Sequence, residues 1–203
     1  MAPATHAAAG AEVQESLRSQ LRAATMAAHD LLDDAIQAAS GWQTRADYAR
    51  FLSLQYAARL PLEDWLAAHA PSGLVPPPQT PLITADLARL DLPAPAPAPL
   101  FTLGRTDAGH ALGAAWVLAG SALGNKAIAK QVDRIGGSKW PVAFLGDDAM
   151  MAFWQALRAR IERPVAPSET VGATEAAEAV FAHFLAVAHH AQSGTAATES
   201  LPV

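Results

Sequence analysis

Apolar residues recur at three- and four-residue spacing along most of this chain, and the alternation expected of strands appears nowhere. Leu17, Leu21, Ala24, Ala28, Leu32 and Ile36 form the stripe of a first helix, predicted over residues 15–39 and ended by Gly41. Thr44 followed by Asp47 has the form of an N-cap, and predicts a second helix reaching residue 69. Pro61 lies inside it and is expected to bend or split it. A proline-rich loop over 71–78 leads to Thr80-Pro81, a helix start, and a short helix to residue 90. Alternating Pro and Ala over 93–99 predict an extended, exposed segment of polyproline II character. Thr106-Asp107 opens a long helix that stops near Gly136-Gly137. Gly146-Asp147-Asp148 opens the next, with Met150, Trp154, Leu157 and Ile161 on one face and Pro164 and Pro167 closing it. The last helix, predicted over 170–191, carries Ala177, Val180, Phe181, Phe184, Leu185 and Ala188. The pattern therefore predicts an all-α, single-domain multi-helix bundle over 15–191, with disordered segments at 1–14 and 192–203.

Composition narrows the function classes. The 203 residues include no cysteine, which excludes disulfides, thiolate nucleophiles, zinc fingers and iron–sulfur clusters. A net charge of −5 and the lack of a Lys/Arg block give no footing for nucleic acid. The start of the chain lacks the basic and apolar regions of a secretory signal. The uncharged run 111–124, at 14 residues, is too short to cross a bilayer. The expectation is a cytoplasmic protein with no membrane and no nucleic-acid partner.

Against that background the run from Ala111 to Lys126 stands out. It holds Gly113, Gly120 and Gly124 inside an apolar helix. Each Gly in a helix interior costs roughly 1 kcal/mol relative to Ala, so something else must favour it. Either a second helix packs closely on this face, or the backbone lies against a planar ligand that side chains would block. Ser121 adds a small hydroxyl beside these glycines. Among seven histidines, His29 is distinctive because it follows Thr25 and precedes Leu32 and Ile36 at helical spacing, on the edge of the apolar stripe. It reads either as a hydrogen-bonded core histidine or as a neutral imidazole able to bind a metal. The adjacent His189 and His190 point to different sides of a helix and into solvent. Lys126, Lys130 and Arg134 recur at four-residue spacing, and Arg18 and Arg22 precede His29. These form either a solvated face or a basic rim for ligand carboxylates.

The stretch Leu21-Arg22-Ala-Ala24-Thr25-Met-Ala-Ala-His29-Asp-Leu-Leu32-Asp33 resembles the proximal-helix motif of bacterial heme oxygenases. Val117-Leu118-Ala119-Gly120-Ser121-Ala-Leu123-Gly124 resembles their distal helix, and the likeness is strongest to the group found beside bacteriophytochromes. The resemblance implies a heme-oxygenase-like bundle with heme held between two helices. It makes His29 the axial iron ligand, and Gly120, Ser121 and Gly124 the distal catalytic stretch. Arg22, Thr25, Trp116, Asn125 and Lys130 would contact the cofactor, with Arg22 and Lys130 toward its propionates. The implied reaction opens heme, both substrate and cofactor, to biliverdin, carbon monoxide and iron. It uses O2 and an external electron donor such as a ferredoxin-type reductant, and a bacteriophytochrome is the implied receiver of biliverdin. No Asp, Glu or His lies between Ala111 and Lys126, which suits ring oxygenation over peroxidase-type oxygen–oxygen cleavage.

The sequence departs from the family pattern at three points. Trp116 and Ala119 stand where Tyr and Glu are frequent, and Asn125 where a glycine or other small residue is usual. These changes bear on turnover more than on binding. They motivate an alternative, a non-catalytic heme-binding or heme-sensing protein on the same fold. Two other helical activities are less well served. A thiamin-degrading enzyme would need a cysteine. A di-iron oxygenase would have to be built from Glu175, Glu178, His183 and the Asp33-Asp34 pair, whose spacing is poor.

Overall fold

The computed structural model describes residues 15–199, with side chains to residue 193. The described residues form six α-helices and two short 3-10 turns, with no strand. The helices are α1 (Leu17–Ala39), α2 (Arg45–His69), α3 (Thr80–Arg89), α4 (Ala108–Gly136), α5 (Asp148–Ile161) and α6 (Pro167–Glu199). Their starts follow from local chemistry. Thr44 and Asp47 form a reciprocal capping box on α2, and the Asp107 and Asp147 side chains accept the first amides of α4 and α5. Gly41, at φ 58°, ends α1 in the left-handed conformation that glycine tolerates best.

Two sequence expectations change. Pro61 leaves α2 a single helix. A proline removes the amide that would serve the carbonyl four residues earlier. That carbonyl, on Ala57, accepts instead the amide of Ala98 at 3.0 Å. The Pro/Ala strap is thus docked on α2 at the point where the proline breaks the ladder. The second change is at the far end. Helical backbone continues to Glu199, past the boundary where a disordered tail was expected, and Gln192 anchors it by donating to the Ala35 carbonyl at 3.0 Å. Residues 1–14 and 200–203 lie outside the described residues.

The main core is shared by α1, α2, α4, α5 and α6. A second cluster joins the first half of α2, α3, the later turns of α4 and the loop around Phe144. Helix α6 is the spine: α1 and α4 each pack chiefly on it. Over 167–193 it is long and apolar enough to cross a membrane. Here Ala173, Ala176, Ala177, Val180, Phe181, Phe184 and Ala188 turn that apolar surface into the core. On α1 the buried stripe runs through Leu17, Leu21, Thr25, Leu32, Ala35 and Ala39, while Ala24 faces solvent.

Candidate functional site

The glycines of α4 share one helical face but meet different surroundings. A Cβ at Gly109 would lie 2.8 Å from the Glu169 carbonyl oxygen, and one at Gly113 would overlap the backbone of Ala173. Both glycines therefore let α4 and α6 touch backbone to backbone. Two turns further on, a Cβ at Gly120 would meet only the Trp154 indole, at an ordinary 3.6 Å. At Gly124 it would meet open space. Helix packing explains Gly113; it leaves Gly124 without a reason inside the protein.

His29 stands on α1 with its side chain 59% exposed, so the protein alone does not provide the dry surroundings its sequence position suggested. Its Nδ1 lies 3.3 Å from an Asp33 carboxylate oxygen, and its ring meets Phe181 of α6 at 6.0 Å between centroids. Among the described residues nothing hydrogen-bonds Nε2. A carboxylate at one ring nitrogen with the other free is the arrangement of a metal-ligating histidine, since the carboxylate fixes tautomer and orientation. Large apolar side chains flank both stretches: Met26, one turn before His29, is 56% exposed, and Leu123, beside Gly124, is 54% exposed. Helix α4 is not among the main neighbours of α1.

The remaining candidates divide. Arg22 and Lys130 are exposed and form no ion pair among the described residues. Lys126 is paired with Asp148 at 3.1 Å, and Arg18 with Glu162 at 3.3 Å. Thr25 is 2% exposed and its hydroxyl donates to the Leu21 carbonyl at 2.8 Å, so it packs within the bundle. Trp116, one turn before Gly120, has a buried Nε1–H with no hydrogen-bond partner. Asn125 is 7% exposed, but its polar atoms are not among the buried ones left without a partner; among the described residues that holds for Trp116 Nε1 alone. Ala119, where the family pattern has an acid, is fully buried in the main core.

Sequence reasoning missed Arg59. This α2 residue is 2% exposed. Its Nη2 donates to Ser121 Oγ at 2.8 Å and its Nε to Gln55 Oε1 at 3.1 Å. The guanidinium carbon lies 5.0 Å from the Phe144 ring centroid and 5.9 Å from that of Phe184. Burial lowers its pKa to about 10, opposed by the charge of Glu63, so it remains cationic at neutral pH. The only legible signal was its position, an arginine between Ala58 and Leu60 on the apolar side of α2.

These features fit a flat, apolar ligand with a metal centre. There is an imidazole with a free nitrogen on one helix, and a side-chain-free face on another. Exposed apolar side chains stand on both, and a buried indole N–H lacks a partner nearby. The raw material for a di-iron centre is dispersed: among the described residues no group of three or more metal-ligating side chains comes together. Glu175 faces His110 at 3.3 Å, and His183 donates to the Ala58 carbonyl at 3.0 Å.

No protein-family model matches the chain, and no curated protein matches it in sequence. A solved structure of heme oxygenase from Neisseria meningitidis, determined with NO and CO bound, is similar to it. The two share 19% identity and a TM-score of 0.66, over 88% of this chain and 92% of that one. The helical bundle described above is therefore the fold of a bacterial heme oxygenase.

Proposed function

We propose that this protein binds heme between α1 and α4 and opens it to biliverdin, carbon monoxide and iron, using O2 and electrons from an external ferredoxin-type reductant. The observation that carries the reading is the open face at Gly124. A Cβ there would meet no protein atom, and one at Gly120 would make only ordinary contact with Trp154, so neither glycine is required by packing among the described residues. His29 would hold the iron through Nε2, with Asp33 fixing the ring through Nδ1. Arg22 and Lys130, neither of which forms an ion pair among the described residues, would receive the propionates. Heme supplies the iron that binds oxygen and the ring carbon that is oxidised. The polypeptide holds the ring, excludes water with Met26, Leu123 and Trp154, and offers hydrogen bonds from α4. A cytoplasmic location and delivery of biliverdin to a bacteriophytochrome complete the proposal.

A second reading, heme binding or sensing without turnover, has one observation in its favour. The Ser121 hydroxyl donates to the Leu118 carbonyl at 2.7 Å and accepts from Arg59, so it has no proton left to donate to a distal ligand. The test is reconstitution with heme, for wild type and His29→Ala. We expect a sharp Soret band in the wild type, and a shifted band with weaker binding in the variant. Identical spectra and affinities would remove His29 from the role. Ascorbate or reduced ferredoxin under air then separates the two functions: loss of the Soret band with biliverdin release supports the oxygenase, and a persistent band supports the sensor.

A further inference from the structure

We propose that Arg59 is a positioning residue for the distal side of this site. It holds Ser121 by its hydroxyl and places a buried positive charge behind that stretch of α4, so that the distal side favours an anionic ligand. The inference rests on the heme reading above.

Arg59 has five N–H donors and gives only two of them to protein atoms, Ser121 Oγ and Gln55 Oε1. Among the described residues no carboxylate forms an ion pair with it. The nearest acid in sequence on its own helix face, Glu63, is committed elsewhere. Its carboxylate accepts the amides of Gln79 and Thr80 and the Thr80 hydroxyl, at 2.6 to 3.3 Å, and so caps α3. A buried cation that feels Glu63 only at longer range and has no ion-paired carboxylate is costly, and an apolar side chain of similar volume would stabilise the fold at least as well. The surroundings nevertheless hold the guanidinium firmly. Phe144 and Phe184 face it, and the Phe144 loop is pinned where Asp86 accepts the amides of Ala143 and Phe144 at 3.1 and 2.9 Å.

Its hydrogen bond to α4 goes to Ser121, which adjoins Gly120. Asn125 follows Ser121 by one helical turn on the same side of α4 and adds no charge. The guanidinium therefore lies behind a stretch of α4, residues 111–126, that contains no acid.

The test uses heme-loaded wild type, Arg59→Met, Arg59→Lys and Ser121→Ala. Two readouts are taken: azide affinity of the ferric protein, and the carbon–oxygen stretching frequency of the ferrous CO complex. We expect Arg59→Met to fold with unchanged or higher Tm, bind azide about tenfold more weakly, and shift the CO stretch upward. Lysine should restore much of both. Ser121→Ala should move both readouts in the same direction by less, and it carries the test if Arg59→Met does not fold. Unchanged azide affinity and CO stretch in the heme-loaded variants, or a lower Tm with no spectroscopic change, would make Arg59 a packing residue and overturn the proposal. Wild type that takes up no heme would overturn the heme reading itself, a separate outcome.

Discussion

Gly113 and Gly124 occupy one face of α4 and have opposite reasons to be glycine. At Gly113 a methyl group would drive into the backbone of Ala173. Overpacking of this kind costs about 1–3 kcal/mol or more, which outweighs the gain in helix propensity of roughly 1 kcal/mol. Gly113→Ala should therefore lower Tm by several degrees. At Gly124 nothing opposes the methyl group, so only the propensity gain remains. Gly124→Ala should raise the Tm of the heme-free protein by about 2–4 °C, the shift that roughly 1 kcal/mol produces in a domain of this size. The same methyl group would stand where the ring is proposed to lie, and heme affinity should fall. Thermal unfolding and heme titration of both variants check this pair. A Gly124→Ala protein that binds heme undiminished would move the ligand away from this face.

At the scale of elements, α2 shows how a helix tolerates a proline and what that entails. Ala57 and Ala58 lie at the break, and both carbonyls accept hydrogen bonds from outside the helix. Ala98 serves the first and His183 of α6 the second. Burial holds the His183 pKa below its ordinary 6.5, against the opposing hydrogen bond to Ala58. In the unfolded chain His183 takes up a proton near pH 6.5, while in the fold it stays neutral to lower pH. The stability linked to this group is thus complete above pH 6.5 and is lost as pH falls through the window below it. One proton gives a slope of at most about 1.4 kcal/mol per pH unit. His183→Gln keeps a donor for the Ala58 carbonyl and removes the titration. Its stability should decline less steeply between pH 6.5 and 5 in urea unfolding, and an unchanged slope would assign the acid sensitivity to other groups. The starts of α2, α4 and α5 were readable from the sequence because Thr44, Asp107 and Asp147 act on their own next turn. Arg59 was not readable, since its burial depends on Ser121, Phe144 and Phe184, all distant in the chain. Nor was the division of the glycines into packing and open positions, which depends on where α6 crosses α4. The exposure of His29 was hidden for a related reason: a residue bordering an apolar stripe is covered only if another element reaches over it.

For the molecule as a whole, the two halves of the candidate site are braced by one helix more than by each other. Helix α1 packs chiefly on α6, and α4 also packs chiefly on α6 with α5 and α2 behind it. A ligand seated between α1 and α4 would add contacts that the protein lacks, and would cover Met26 and Leu123, now 56% and 54% exposed. Binding that favours the folded arrangement stabilises it by mass action, by about 2.7 kcal/mol when free ligand is at a hundredfold excess over Kd. That free energy is not expected to spread evenly. Amides that exchange when α1 lifts away, or when the middle of α4 opens, should be slowed by up to about a hundredfold. Those of α3, which belongs to the other apolar cluster and is capped by Glu63, should be slowed only where exchange requires global unfolding. Hydrogen exchange with and without heme therefore reads the site directly. Protection concentrated over residues 22–33 and 117–126 is the expected outcome. Protection that instead favoured α3 and the first half of α2 would place the ligand on the second cluster, far from His29, and the proposed arrangement would have to be abandoned.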